Sequence, residues 1–343
     1  IFPMRDIAVM GLGAILPRLP FLLKRLDQTV QYALAQKPDI MVLIDSPEFN
    51  HRVAKRVKAR NPDIVTICYV APQIWAWRRG RGKKMRQFFD AVLALWPFEP
   101  DIFAACDGPP CYFVGHPLAH RFKHFESLPD FRQLHGLDKQ PILLLLPGSR
   151  ASEIRTLLPI FGKVVAALRH DMPDLQIVMP LVPHLADRVK NAAAAQFSAL
   201  PLAPIFVQDE AERWAAYAAA RAALCASGTA TLELGLAGVP SVGAYKVGLI
   251  SSFIARGMKI PSVLLPNLIL DAPIMPEFLQ ERCTPQHILP ALRTLLTDDI
   301  INKNMRDNLQ PLHGALESAG GALQSAGGAQ ADQVARIILS HLG

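Results

Sequence analysis

Ile142-Leu-Leu-Leu-Leu-Pro-Gly-Ser-Arg-Ala-Ser-Glu-Ile154 decides how this chain is read. Five consecutive aliphatic residues with no polar alternation suit a strand buried on both faces, as in a parallel sheet. Pro147 and Gly148 end that strand, Ser152 reads as a helix N-cap, and Glu153 opens a helix reaching about His170. The same strand-to-helix alternation recurs along the chain. Apolar runs at 40–45, 64–70, 91–96 and 111–115 in the first half, and at 176–181, 204–207, 222–226 and 241–245 in the second, alternate with amphipathic stretches such as 21–36 and 49–60. This predicts an α/β fold with parallel sheets in two Rossmann-like lobes facing across a cleft, ending in helices after Thr284. Polar, histidine-containing sequence over 121–140 puts the boundary near Asp138, giving lobes at 1–137 and 138–312. The remainder, 313–343, reads as a flexible Gly/Ala/Ser-rich link over 314–330 and a last helix at 331–342.

At 343 residues, 51% hydrophobic and 19% charged, the chain is long enough for two cores, and disordered and fibrous classes are excluded. Cys68, Cys106, Cys111, Cys225 and Cys283 are odd in number and scattered without a CxxC pair, so neither a disulfide scaffold nor a structural zinc site is expected. The net charge of +7 is concentrated. Between His51 and Arg86 lie eleven Lys and Arg against Asp63 alone, a local +10, which leaves the rest at −3. Such a window suits a nucleic acid, a phosphorylated substrate or an acidic lipid surface. The longest apolar candidate for a membrane span, 234–255, is broken by Pro240 and Lys246, and the N-terminus lacks signal-peptide features, so a cytoplasmic chain is expected. Because residue 1 is Ile, the sequence is expected to start inside a longer reading frame.

Ligands of parallel α/β lobes bind beyond the carboxyl ends of strands. Gly148 and Ser149 precede a helix N-terminus that could receive phosphate, with Arg150 as a bidentate partner for a diphosphate; an ordinary turn with Arg150 solvated is the competing reading. Cys225-Ala-Ser-Gly-Thr-Ala-Thr-Leu-Glu233 repeats the pattern. There Ser227, Gly228 and Thr229 let phosphates approach the backbone, and Glu233 one turn later could accept ribose hydroxyls or simply serve as a capping carboxylate. The two loops together point to a nucleoside-diphosphate site. Neither a GxxxxGK[ST] nor a GxGxxG motif occurs.

In the first half, Asp45 follows a strand and could act as a base toward a hydroxyl, with Ser46 and Asn50 orienting a sugar; a turn with Asp45 as helix cap is the alternative. Trp75 and Arg78 belong to an aromatic and cationic segment suited to base stacking or a membrane interface, or to a packed loop before a solvated helix. His116 ends another strand, either as an acceptor-phosphate contact or as a structural residue. The apolar stretch 7–23, with Val9, Met10, Leu12, Ile15, Leu16, Leu19 and Leu22, is interrupted by Pro17 and Pro20 and flanked by Lys24 and Arg25. It has the composition of an interfacial docking element or of a core helix pair.

Taken in order, IDSPEFN (44–50), YVAPQIWAWR (69–78), FVGHPL (113–118), LLPGSRASEI (145–154), ASGTATLE (226–233) and SVLLPNLI (262–269) resemble the lipid-A-disaccharide synthase family over nearly the whole chain. The resemblance implies an inverting, metal-independent glycosyltransferase of GT-B architecture with no cofactor. It would move 2,3-diacylglucosamine from UDP to the 6-hydroxyl of 2,3-diacylglucosamine 1-phosphate in lipid A synthesis at the anionic inner face of the inner membrane. It further implies Asp45 as the base, Gly148, Ser149, Arg150, Ser227, Gly228, Thr229, Glu233 and Asn267 at the UDP donor, and 7–23 as the membrane-docking surface. Family members begin with a strand and a Gly-Glu-Pro-Ser-Gly-Asp loop that this sequence does not contain. Other readings are a UDP-sugar epimerase, a peptidoglycan GlcNAc transferase, or a non-enzymatic UDP-sugar and membrane-binding remnant. A nucleic-acid partner is disfavoured, since no recognition motif accompanies the basic window. Helical C-termini of this kind can exchange between subunits, so a homo-oligomer stays open.

Overall fold

The computed structural model describes residues 1–7, 16–77, 80–119, 128–197, 202–246, 261–317 and 328–342. They form two compact units, Ile1–His116 with Leu316–Gly343, and Pro117–Ala315.

The first unit holds four parallel strands in sequential order, β1 (Ile40–Ile44), β2 (Val65–Tyr69), β3 (Ala91–Ala94) and β4 (Cys111–Phe113). Side chains alternate across this sheet, so Leu43, Cys68 and Val92 face one core while Ile67, Leu93 and Val114 face another. The first core is closed by α1 (Leu19–Gln36) and α2 (Pro47–Arg60). Leu26, Val30 and Ala33 make the buried stripe of α1, and Val53, Ala54 and Val57 that of α2, at the three- and four-residue spacings of a helix face. The second face is covered by α10 (Gly328–Leu339), whose Val334, Ile337 and Ile338 pack against it. A short helix, α3 (Glu99–Ala105), joins β3 to β4. Strand β1 lies at the sheet edge, where Val42 and Ile44 are exposed although the strand is wholly apolar.

The second unit has six parallel strands in the order β10-β9-β8-β5-β6-β7. These are β5 (Ile142–Leu146), β6 (Gln176–Pro180), β7 (Ile205–Val207), β8 (Ala222–Ala226), β9 (Ser241–Tyr245) and β10 (Glu277–Leu279). The chain lays β5, β6 and β7 outward in one direction, then returns to place β8 against the free side of β5 and continues the other way. A topological switch point therefore lies between β5 and β8, and ligand crevices of open α/β sheets form there. Helices α4 (Ala151–Asp171), α5 (Ala186–Phe197), α8 (Pro285–Thr297) and α9 (Asp299–Leu309) share one core with Leu143 and Leu145. Trp214 and Tyr217 of α6 (Glu210–Ala219) share the other with Ile142 and Leu144. Helix α7 (Thr229–Leu236) follows β8.

Strands β5, β8 and β9 have the expected ends, and the other expected strands are shorter by one or two residues. Strand β10 went unread because three residues between Pro276 and a 3-10 turn carry no period. Helix α4 starts at Ala151, so Ser152 is inside it and not its cap. The Glu153 carboxylate reaches back to the Ser149 and Arg150 N–H groups instead, at 3.0 and 3.2 Å.

The division of the chain also differs from the boundary expected at Asp138. Phe131 is buried in the second unit's core, Arg132 donates to the carbonyls of Asp138, Gln140 and Ala219, and His135 meets Glu212 at 2.8 Å. These contacts fix the 128–140 segment on the second unit, while α10 belongs to the first. Most of the expected 314–330 link lies outside the described residues.

Candidate functional site

Beyond the carboxyl ends of β5, β6 and β8, at the switch point, the second unit carries a cavity of about 260 Å³. Its floor comes from the register that sets Leu146 beside Cys225, bringing the Gly148–Ser149 turn next to Ser227 and Gly228. Gly228 has φ 136° and ψ −161°, a conformation open only to glycine. It therefore starts α7 with no side-chain cap, and while the Thr231 N–H bonds the Gly228 carbonyl at 3.0 Å, the N–H groups of Thr229 and Ala230 keep their pull on an anion. The Thr231 hydroxyl bonds back to the Gly228 carbonyl at 2.8 Å, and the Ser227 hydroxyl donates to the Val263 carbonyl at 2.7 Å, so both brace the loop.

Glu233 lines the cavity one turn further on, and the Tyr217 hydroxyl donates to its Oε2 at 3.2 Å. Burial and the adjacent Glu233 raise Tyr217 well above its ordinary value, so it stays a donor and fixes that carboxylate. Gly148, Ser149, Ser227, Gly228, Thr229 and Glu233 are thus brought together, as the sequence suggests. Arg150 does not line the cavity; its Nη1 lies 3.4 Å from Glu153 and its side chain is 57% exposed. Asn267 is also elsewhere, buried with both ends of its amide paired to the Met275 backbone at 2.8 and 2.9 Å. Arg213, which sequence reasoning missed, does line the cavity.

In the first unit, Asp45 and Ser46 end β1 with φ of 53° and 45°, two successive non-glycine residues in the left-handed region. Strain of that kind, on the order of 1–3 kcal/mol per residue, gathers at functional sites. The loop is held by Asn50, whose Nδ2 donates to the carbonyls of Ile44 at 3.0 Å and Asp45 at 2.6 Å. Neither Asp45 nor Ser46 caps α2 with its side chain, and Asp45 is exposed. Its carboxylate has no hydrogen-bond partner among the described residues, so the helix-cap reading does not describe it.

A second group closes around the ends of β2, β3 and β4. Trp75 donates its indole N–H to Glu99 at 3.3 Å, and the Trp96 N–H donates to the other carboxyl oxygen at 3.2 Å. Glu99 is 1% exposed, and burial pushes its carboxyl from 4.5 up to about 8, against the hydrogen bonds from Trp96, Trp75 and Leu95 that favour the ionised form. His116 stacks on Trp96 with ring centroids 4.7 Å apart. Desolvation lowers it to about 4, so its imidazole is neutral near pH 7 and offers no charge to a phosphate. Arg78 and residues 8–15, including Val9, Met10, Leu12 and Ile15, lie outside the described residues, as does the side chain of Leu16. Leu19, Phe21 and Leu23 are exposed at the start of α1, with Leu22 half-buried. No helix among the described residues is long and apolar enough to cross a membrane, and no metal-binding cluster occurs among them.

A family model described as lipid-A-disaccharide synthetase matches residues 1–321. Lipid-A-disaccharide synthase of Nitrobacter hamburgensis is 45% identical over 305 residues, covering 88% of this chain and 76% of that protein. The enzyme of the same name from Rhodospirillum centenum is 43% identical over 311 residues, covering 90% and 76%. Among solved structures, the UDP-GlcNAc 2-epimerase of Neisseria meningitidis bound to UDP-GlcNAc matches at a TM-score of 0.58 and 11% identity, covering 93% of this chain and 81% of that one. The Methanocaldococcus jannaschii UDP-GlcNAc 2-epimerase in complex with UDP-GlcNAc and UDP matches at 0.56 and 12%, covering 97% and 83%. At such identities the structural likeness speaks for the fold alone, and that fold is the α/β GT-B class. The family match and the close relatives decide the rest: the chain belongs to the lipid-A-disaccharide synthase family of hexosyltransferases.

Proposed function

We propose that this chain binds UDP-2,3-diacylglucosamine with its nucleotide in the second unit's cavity and transfers the sugar to 2,3-diacylglucosamine 1-phosphate. The observation that carries the reading is that cavity, at the β5/β8 switch point, where the uncapped start of α7 and the braced carboxylate of Glu233 share one wall. The first turn of α7 receives the diphosphate through backbone N–H groups, and Glu233 accepts from the ribose hydroxyls. Since Glu153 already holds the Ser149 and Arg150 N–H groups, the anion falls to α7 and not to the β5 loop. In the reaction, the acceptor 6-hydroxyl oxygen bonds to the anomeric carbon, and Asp45 takes the hydroxyl proton. The bond from that carbon to the UDP oxygen breaks, and UDP leaves with the electron pair and inversion.

Both substrates are acylated, so the enzyme must meet a lipid surface. We assign docking to the exposed Leu19, Phe21 and Leu23 and to residues 8–15, together with the cations Arg52, Lys55 and Arg56 exposed on α2. This peripheral attachment to the anionic inner membrane rests on exposure and charge.

Calorimetry with UDP in excess chelator tests the donor site. Binding without added metal is expected, together with at least tenfold weaker binding by Glu233→Gln. Loss of UDP binding on chelation, or undiminished binding by the variant, refutes the assignment.

A further inference from the structure

We propose that Arg213 holds the base of the donor nucleotide, donating its guanidinium N–H groups to a pyrimidine carbonyl at the end of the cavity away from the diphosphate. This rests on the reading of the cavity as the nucleotide site and extends it to the base.

Three observations lead there. Arg213 is the single cation among the described residues lining the cavity, while Arg150 lies outside it. It stands one helical turn before Tyr217 on α6, and Tyr217 bonds Glu233. The lining therefore passes from the α7 N-terminus down to Glu233, across to Tyr217 and one turn back along α6, which puts Arg213 on the α6 side of the cavity, across from α7. A nucleotide with its diphosphate at the α7 N-terminus and its ribose at Glu233 brings its base to Arg213. Finally, the Arg213 side chain is only 30% exposed, its Nε is buried with no partner among the described residues, and its contact with Glu210 is long, at 3.7 Å.

A guanidinium is a planar set of donors with no acceptor. Uracil offers two carbonyl oxygens and a flat face, so it satisfies such a group by hydrogen bonding and by stacking. Pro180, Leu181 and Val182 add an apolar stretch to the lining, which suits a base better than a second phosphate.

The test measures affinity of the full chain for UDP, UMP and inorganic pyrophosphate, in the unmutated protein, Arg213→Ala and Arg213→Gln, with thermal unfolding to confirm that each variant is folded. A hydrogen bond to a charged donor converts to a loss of about tenfold to a hundredfold. Arg213→Ala is expected to weaken UDP and UMP by the same factor, leave pyrophosphate unchanged, and be only partly rescued by Gln. Weakening of UDP and pyrophosphate but not UMP places the residue at the diphosphate and overturns the assignment to the base. UDP binding untouched in both variants overturns it as well. If the unmutated chain binds no UDP, the cavity reading fails first and this one falls with it.

Discussion

Glu99 makes the first unit sensitive to mild alkali. Its carboxyl rises from 4.5 to about 8 in the folded chain, so between those values the folded state holds a proton that the unfolded state has released. Stability from this group is complete below pH 4.5, falls as pH rises through the window, and levels off above about 8. His51 and His116 work the other way. Both are lowered from 6.5 to about 4 by burial, so each adds stability as pH rises from 4 to 6.5 and nothing more above it. The interval from 6.5 to 8 therefore isolates Glu99. At about 1.4 kcal/mol per pH unit the loss across it comes to roughly 2 kcal/mol. Urea unfolding at several pH values reads this out by tryptophan fluorescence, since Trp75, Trp77 and Trp96 lie in the first unit and Trp214 in the second. Glu99→Gln turns an amide N–H toward one of the donors that now meet the carboxyl, a cost that does not vary with pH. The slope is thus the readout, and the variant's should be flat from 6.5 to 8. A level profile in the unmutated chain, or an equal slope in the variant, would refute the reasoning.

Asp45→Asn should lower turnover by about 10²–10⁴-fold, the usual worth of a positioned base, while UDP affinity stays within twofold; normal turnover would remove Asp45 from the mechanism. Gly228→Ala meets no atom within 4 Å yet forces a side chain onto φ 136°, so it should weaken UDP at least tenfold in calorimetry and cost on the order of 1–3 kcal/mol of stability in urea unfolding. Flotation with anionic vesicles should carry the protein at low salt and release most of it at high salt, whereas failure to float at any salt would reassign the apolar start of α1 to another contact.

How far the sequence disclosed these features depends on how local their causes are. Strands β5 and β8 announce themselves because each is a fully buried apolar run stopped by turn-forming residues, and for the same reason the loops after them were readable as sharing one site; both loops line one cavity. Arg213 was not readable. It sits between Glu212 and Trp214 in a helix whose sequence looks like a solvated surface, and only the packing of Tyr217 against Glu233 turns that face toward a cavity. Glu99 was not readable either, since a carboxylate between Phe98 and Pro100 carries no local sign of burial. Its burial depends on Trp75, twenty-four residues earlier. Asn267 shows the converse. Its motif placed it beside the donor, but an amide that exchanges two hydrogen bonds with the Met275 backbone holds a loop in shape. His116 likewise has a position that reads as functional and an electrostatic state set by burial, which no local pattern reports.

The return of α10 to the first unit also governs how the protein can be made. The Ile67, Leu93 and Val114 face stays bare until Val334, Ile337 and Ile338 exist to cover it. Between them the ribosome must produce the whole of Pro117–Ala315, which takes on the order of tens of seconds at roughly 5–20 residues per second. During that interval the second unit, continuous in sequence, can fold completely while the first waits with one side of its sheet unsealed. A stop codon between residues 316 and 334 would remove Val334, Ile337 and Ile338 while leaving Pro117–Ala315 whole, so it should send the first unit to proteases and chaperones while sparing the second.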